Sequence, residues 1–145
     1  MTEYVKVSCL QCGATNNFPV GAEGRTVVCG RCKTPLPVPG RVLEPTPDHL
    51  IGLIETAALP VLIDFYSPTC MPCHRMRPIV EDLARRRAGN LTVVQVDTDR
   101  NGELAAAFKI QAVPTFVVMK KGYEIARTSG AMNETDFSLW VASKT

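Results

Sequence analysis

Six cysteines are the residues of this chain best equipped for chemistry, and all six fall in Cys-x-x-Cys pairs: Cys9/Cys12, Cys29/Cys32 and Cys70/Cys73. The spacing serves two chemistries, thiolate coordination of a metal and reversible disulfide exchange, and the flanking sequence separates them. Sixteen residues lie between Cys12 and Cys29, inside the gap of about 15–20 residues found in four-thiolate zinc sites. Gly13 follows the first pair and Gly30 lies inside the second, so each turn has a residue free to adopt the dihedrals that aim backbone N–H groups at sulfur. These features predict a zinc-ribbon module over residues 1–35, with Cys9, Cys12, Cys29 and Cys32 holding one structural zinc ion. Val5-Lys6-Val7 and Arg25-Thr26-Val27-Val28 read as short strands leading into the two turns. Four thiolates close the coordination sphere, which argues against metal catalysis. The module has too few apolar residues for a core of its own, so the metal must supply much of its folding free energy.

The third pair sits differently. Pro60-Val61-Leu62-Ile63-Asp64-Phe65-Tyr66 is a short, β-branched and aromatic run, the pattern of a buried strand. After the pair, Met76, Ile79, Val80, Leu83 and Ala84 recur at helical spacing. Cys70 therefore lies at a helix N-terminus, where unpaired N–H groups and the dipole favour a thiolate. Cys73 lies three residues on, on the side that carries Met76 and Val80. This arrangement predicts that the Cys70 thiolate attacks a substrate disulfide and that Cys73 displaces the mixed disulfide. The second attack needs a proton acceptor, and Asp64, a carboxylate in an otherwise apolar strand, is the candidate because burial raises its pKa. The alternative for Asp64 is a strand-end residue bonded to nearby backbone.

A chain of 145 residues accommodates one ordinary domain and a small module. Its 46% hydrophobic and 21% charged content is that of a soluble globular protein. A net charge of +2 gives no electrostatic case for nucleic acid or membrane binding. The opening residues carry no apolar core of signal-peptide length, and no run approaches a membrane span. A reducing, cytoplasmic location is the resulting expectation, and there three Cys-x-x-Cys pairs point to metal binding and redox catalysis rather than to structural disulfides.

The elements that must position these groups follow in order. Residues 36–47 are a Pro-rich linker, extended and semi-rigid, within which Val42-Leu43 can add a short edge strand. Residues 48–145 form the second domain. Asp48 reads as the N-cap of a helix through Leu50, Ile51, Leu53 and Ile54, and His49 as a lone exposed histidine. The helix after Cys70 contains Pro78, which removes a backbone donor and predicts a kink, and Gly89-Asn90 ends it. Leu91 to Asp97 is a second buried strand, and a helix spans Gly102 to Phe108. Phe116 to Met119 and Tyr123 to Ser129 are strands joined by a turn at Lys120-Lys121-Gly122. Thr135, or a neighbour in Asn133-Glu134, caps a last helix with Phe137, Leu139, Trp140 and Val141. The order α-β-α-β-α-β-β-α implies an α/β fold, a mixed central sheet with helices on both faces.

Together these motifs resemble thioredoxin: the Val61–Tyr66 run before the dithiol, the Cys-x-Pro-Cys form, Pro78 five residues after Cys73, Val96-Asp97, Val113-Pro114-Thr115-Phe116, and Gly122 in the hairpin turn. With a four-cysteine module ahead, the chain resembles the zinc-containing bacterial thioredoxins of the thioredoxin 2 type, the thioredoxin part covering about residues 42–145. The resemblance implies a thioredoxin-like fold in which Cys70 is the nucleophile, Cys73 the resolving thiol and Asp64 the buried acid. It further implies a cis Pro114 facing the dithiol and a substrate segment pairing with the backbone at Val113. Thr69, Met71 and Pro72 complete the expected substrate surface. Thr69-Cys70-Met71-Pro72-Cys73 stands where these proteins usually carry Trp-Cys-Gly-Pro-Cys. Thr69 replaces an aromatic contact and is a possible N-cap, while Met71 adds a flexible apolar one. Gln95 stands where the family has a buried lysine near the acid. His74 directly follows the dithiol. The expected activity is reduction of disulfides in protein substrates, with a thioredoxin reductase as electron donor and neither nucleic acid nor membrane as partner. Two other readings are a redox-sensing interaction module, switched by oxidation of the zinc thiolates, and a nucleic-acid-binding ribbon. Lys6, Arg25, Arg31, Lys33 and Arg41 are the cations available to the ribbon, but Glu3, Glu23 and Glu44 dilute them and few aromatics are present to stack bases.

Overall fold

The structure, a computed structural model, describes residues 4–9, 11–19, 28–34, 36 and 40–145. β1 (Tyr4–Ser8) and β2 (Thr15–Pro19) form an antiparallel hairpin around the first cysteine pair, with Ser8 opposite Thr15. There follow β3 (Val42–Leu43), α1 (Pro47–Thr56), β4 (Val61–Tyr66), α2 (Met71–Arg86), β5 (Thr92–Asp97), α3 (Gly102–Ala107), β6 (Thr115–Lys120), β7 (Tyr123–Ser129) and α4 (Glu134–Lys144). Sheet order is β3-β5-β4-β6-β7, with β3, β5 and β4 parallel and β6 and β7 antiparallel. This is the expected mixed sheet, including the edge strand at Val42–Leu43.

Strand periodicity sends alternate residues to opposite faces, and two cores result. Val61, Ile63 and Phe65 pack with Leu50, Leu53 and Ile54 of α1 and Leu104 of α3. Leu62 packs on the other side with Met76, Val80 and Leu83 of α2 and Phe137 and Val141 of α4. Asp64 shares the parity of Leu62, so the strand directs its carboxyl to the face covered by α2, the helix that begins at the dithiol.

Several local expectations are corrected. The N-cap of α1 is Thr46, whose Oγ1 accepts from His49 N at 3.3 Å, while Asp48 lies in the first turn. Thr46 precedes Pro47, whose missing N–H costs nothing at that position. His49 is half-buried rather than free: its Nε2–H donates to Gln11 Oε1 inside the first cysteine turn. The partner of β1 is the polar segment Thr15–Pro19. Of the strand expected at 25–28, residues 25–27 lie outside the described residues, and Val28 forms an isolated bridge. Of the caps expected for α4, it is Asn133 rather than Thr135 that serves, its Oδ1 accepting from Asp136 N at 2.8 Å. The β6–β7 turn has φ of 53° at Lys121 and 84° at Gly122, the left-handed pair of a tight hairpin turn.

Candidate functional site

Cys70 is the N-cap of α2, and its sulfur accepts from Cys73 N at 3.2 Å. The sulfur itself occupies the capping position, so Thr69, exposed, is not the cap. Thr69 N donates to Ser67 Oγ at 3.4 Å, and the Ser67 hydroxyl donates to Asp99 Oδ2 at 3.0 Å. Cys70 and Cys73 are joined as a disulfide with Cα atoms 5.2 Å apart. Cys70 is half-buried and Cys73 is 8% exposed, the asymmetry expected of an outer and an inner sulfur. The Val113–Pro114 peptide bond is cis, and the Val113 carbonyl oxygen lies 3.7 Å from the Cys70 sulfur. Around the outer sulfur, Met71 is 67% exposed, Pro72 and Val113 are half-buried, and Pro114 is buried. The structure thus brings all five expected substrate-surface residues, Thr69, Met71, Pro72, Val113 and Pro114, to one end of the sheet.

Behind Cys73 runs a narrow cleft lined by Asp64, Tyr66, Ser67, Cys73, His74, Arg77 and Gln95. Its volume open to a water's centre is about 10 Å³, room for about one water molecule. Asp64 is 3% exposed, and its Oδ1 has no hydrogen-bond partner among the described residues. Burial pushes its pKa from 3.8 up to about 7, against an opposing hydrogen bond from Gln95 and the positive charge of Arg77. The carboxyl therefore changes protonation close to neutral pH, and it shares a cleft with the inner sulfur. His74 is exposed, and its Nε2–H donates to the Pro68 carbonyl at 2.6 Å.

The other four cysteines converge at the N-terminal end. Sγ atoms of Cys9, Cys12, Cys29 and Cys32 all lie within 4.8 Å of one another. Cys9 Sγ is 3.5 Å from Cys32 Sγ, and Cys12 Sγ is 3.6 Å from Cys29 Sγ. A tetrahedral ion with Zn–S bonds of about 2.3 Å needs sulfurs about 3.8 Å apart, so the donor set fits. Both turns repeat one hydrogen-bond pattern. Cys9 N donates to Ala14 O and Gly13 N to Cys9 O, just as Cys29 N donates to Thr34 O and Lys33 N to Cys29 O, at 2.8 and 2.9 Å in each turn. The left-handed position is Gly13 (φ 77°) in the first turn but Lys33 (φ 64°) in the second, so Gly30 is not the conformational hinge expected. Gly30 N instead donates to Asn16 Oδ1 at 2.9 Å.

The thioredoxin family profile matches residues 41–143. The chain belongs to the thioredoxin family. It is 33% identical over 135 residues to thioredoxin C-3 of Corynebacterium nephridii, covering 93% of this chain and 92% of that one. A match of that extent leaves ten residues of this chain outside it and so reaches into the N-terminal module. Thioredoxin 1 of Nostoc sp. is 36% identical over 80 residues, 55% of this chain and 75% of that protein. Among solved structures, a mutant thioredoxin from Halobacterium salinarum superposes with a TM-score of 0.67 at 29% identity, covering 74% of this chain and 94% of that one. Membership and the Cys70/Cys73 pair make the chain a protein-disulfide reductase of the thioredoxin type.

Three functional contacts escaped the sequence reading. Asn16 binds both cysteine turns: besides accepting from Gly30 N, its Nδ2 donates to Ala14 O at 3.1 Å and to Cys29 Sγ at 3.5 Å. That contact joins the backbone amides of Cys32 and Arg31 in holding the Cys29 thiol down to about 6, against the opposing effect of burial. Ser67 ties the loop before Cys70 to Asp99, 32 residues on. Arg77 brings a cation to the Asp64 cleft. A Ser before a Pro and an Arg on an exposed helix face carry no periodic signal. Asn16, a polar residue four after Cys12, gave only the hint that it sat beside a metal turn.

Proposed function

We propose that this thioredoxin reduces disulfides in polypeptide clients through a Cys70/Cys73 cycle in the cytoplasm. In this reading a thioredoxin reductase restores the dithiol, and the four N-terminal cysteines hold one structural zinc ion. The observation that carries it is the placement of Cys70 Sγ at the head of α2, accepting a backbone N–H and facing the Val113 carbonyl. The helix N-terminus and the N–H donated by Cys73 favour this sulfur as thiolate.

The Cys70 thiolate attacks one sulfur of a client disulfide; the new S–S bond forms as the client's own breaks, and the departing client sulfur leaves as thiolate and takes a proton from water. Cys73 then gives its proton to Asp64, directly or through one water in the cleft, and its thiolate attacks Cys70 Sγ. The Cys70–Cys73 bond forms, the mixed disulfide breaks, and the client's second sulfur leaves. The client gains two electrons and the dithiol loses two; the reductase returns them with two protons. A client segment extended beside Val113 pairs with its backbone, while Met71 and Pro72 give apolar contact and Thr69 a polar edge. Substrates are therefore extended, partly apolar polypeptides. The zinc supplies cross-linking between the two turns and no step of the reaction. Among the described residues no helix is long and apolar enough to cross a membrane.

The test is reduction of insulin disulfides with dithiothreitol as donor. Wild type should accelerate it, Cys70→Ser should fall to the dithiothreitol background, and Cys73→Ser should accumulate a mixed disulfide visible by mass. Normal turnover by Cys73→Ser would refute the two-cysteine cycle.

A further inference from the structure

Within the Asp64 cleft the charges are unevenly supplied. From its own strand, β4, Tyr66 faces the cleft with its hydroxyl engaged by Glu44 at 2.6 Å. From β5, Gln95 stands in register with Asp64 and is neutral, while Asp97 stands opposite Tyr66 at the strand end. From β6 the residue in register is apolar Phe116. From α2 come Cys73, His74 and Arg77. His74 commits its Nε2–H to the Pro68 carbonyl. Arg77 is the fixed cation of this set, exposed at the mouth of the cleft.

Its position on the helix matters as much as its charge. Arg77 lies four residues after Cys73, on the same helical face, and helical side chains lean back over the preceding turn. Arg77 thus lines the same cleft as the inner sulfur and the buried carboxyl, and its charge acts on Asp64.

We propose that Arg77 is a positioning residue for disulfide reduction, balancing the negative charge that passes between Asp64 and Cys73 as the mixed disulfide is resolved. The inference rests on the reading of Asp64 as proton acceptor. Before the transfer the negative charge is on the Asp64 carboxylate; afterwards it is on the Cys73 sulfur. A cation facing both sites stabilises both states, so the charge moves without ever being left bare in a poorly solvated cleft. Gln95 can hydrogen-bond the carboxylate but cannot follow the charge. Because Arg77 is exposed, its influence is screened by salt.

The experiment uses the full zinc-loaded chain and compares wild type, Arg77→Gln, Arg77→Lys and Asp64→Asn. Two quantities are followed: the NMR titration of the Asp64 carboxyl carbon in the reduced protein, and the pH dependence of mixed-disulfide resolution. Arg77→Gln should move both midpoints upward by on the order of half a pH unit, and Arg77→Lys should restore them. High salt should bring wild type toward the Gln variant. An Asp64 midpoint unchanged in Arg77→Gln would overturn the role of Arg77 and leave Asp64 as acceptor untouched. If Asp64→Asn kept the wild-type pH profile, Asp64 would not be the acceptor, and the inference would fall with that reading.

Discussion

At Cys9-x-x-Cys12 and Cys29-x-x-Cys32 the chain doubles back on itself, whereas at Cys70-x-x-Cys73 it enters a helix. In the first two, a backbone bond from the cysteine N–H to the carbonyl five residues on closes a turn, and the sulfurs point across to the other pair. The close approaches there are between pairs, Cys9 with Cys32 and Cys12 with Cys29. In the third, helix geometry puts the two cysteines on adjacent positions of one turn, and the sulfurs meet within the pair. One spacing therefore yields a cluster of four thiols or a disulfide pair according to the backbone that carries it. The surroundings diverge in the same way. The dithiol stands on a five-stranded sheet with apolar cores on both faces, while the four-thiol cluster stands on a two-stranded hairpin, a unit that is marginally stable at best in water.

Removing a ligand should break the comparison most visibly. Cys9→Ser, or treatment with a strong chelator, should reduce bound zinc from one ion to none and unfold the module, whose folding free energy is that of metal binding. The second domain should keep its thermal transition within a few degrees by circular dichroism and retain insulin reduction. Loss of both together would show that the contact between Gln11 and His49 is one part of a larger shared interface and that the two regions fold as one.

Asp64→Asn sharpens the other half. Burial holds the Asp64 carboxyl at about 7 against 3.8, so between those values the folded domain binds a proton that the unfolded chain has released. Its contribution to stability is full below the unfolded value and declines as pH rises towards 7. At and above pH 7 the buried charge costs on the order of 4 kcal/mol. The Asn variant should therefore melt higher than wild type at pH 8, lose the pH dependence between 4 and 7, and resolve mixed disulfides more slowly. Equal melting temperatures at pH 8 would deny the desolvation that raises the Asp64 pKa.

Smaller effects separate the two turns of the metal site. Asn16→Leu should weaken zinc binding about 10- to 100-fold in chelator competition, the usual consequence of losing a hydrogen-bonding partner of the ligands. Its insulin reduction should not change. Lys33→Gly should relieve the left-handed backbone at the second turn and stabilise the module by about 1 kcal/mol. An unchanged unfolding midpoint of the zinc-loaded module would mean that the turn tolerates a side chain at no cost.

What could be read from the sequence follows from these same contrasts. Apolar runs marked β4, β5 and β6, and a 3.6-residue period marked α2, because each is buried along a run or a face. β7, largely exposed, was legible only from the turn at Lys120-Lys121-Gly122, and cysteine spacing grouped the four N-terminal thiols and the Cys70/Cys73 pair. Contacts made by single polar side chains across long separations were not legible. Asn16 reaches Gly30, 14 residues on, and Ser67 reaches Asp99, 32 residues on; neither leaves a periodic trace. β2 was missed because Thr15-Asn16-Asn17-Phe18-Pro19 has little strand propensity and is held by pairing with β1. The exchange of Gly30 for Lys33 as the left-handed residue shows propensity overruled by the closed turn. His49 looked isolated because Gln11 is 38 residues away.

The most direct test of two chemistries from one spacing is to ask which cysteines are reactive. Reduced, zinc-loaded protein would be treated at pH 7 with limiting iodoacetamide, and labelling at each cysteine read by mass spectrometry with and without chelator. Cys70 should label first and Cys73 slowly, with Cys9, Cys12, Cys29 and Cys32 protected until the chelator is added and then labelled together. Labelling of the four module cysteines alongside Cys70 in the zinc-loaded protein, or a Cys70 no faster than Cys73, would contradict the assignment.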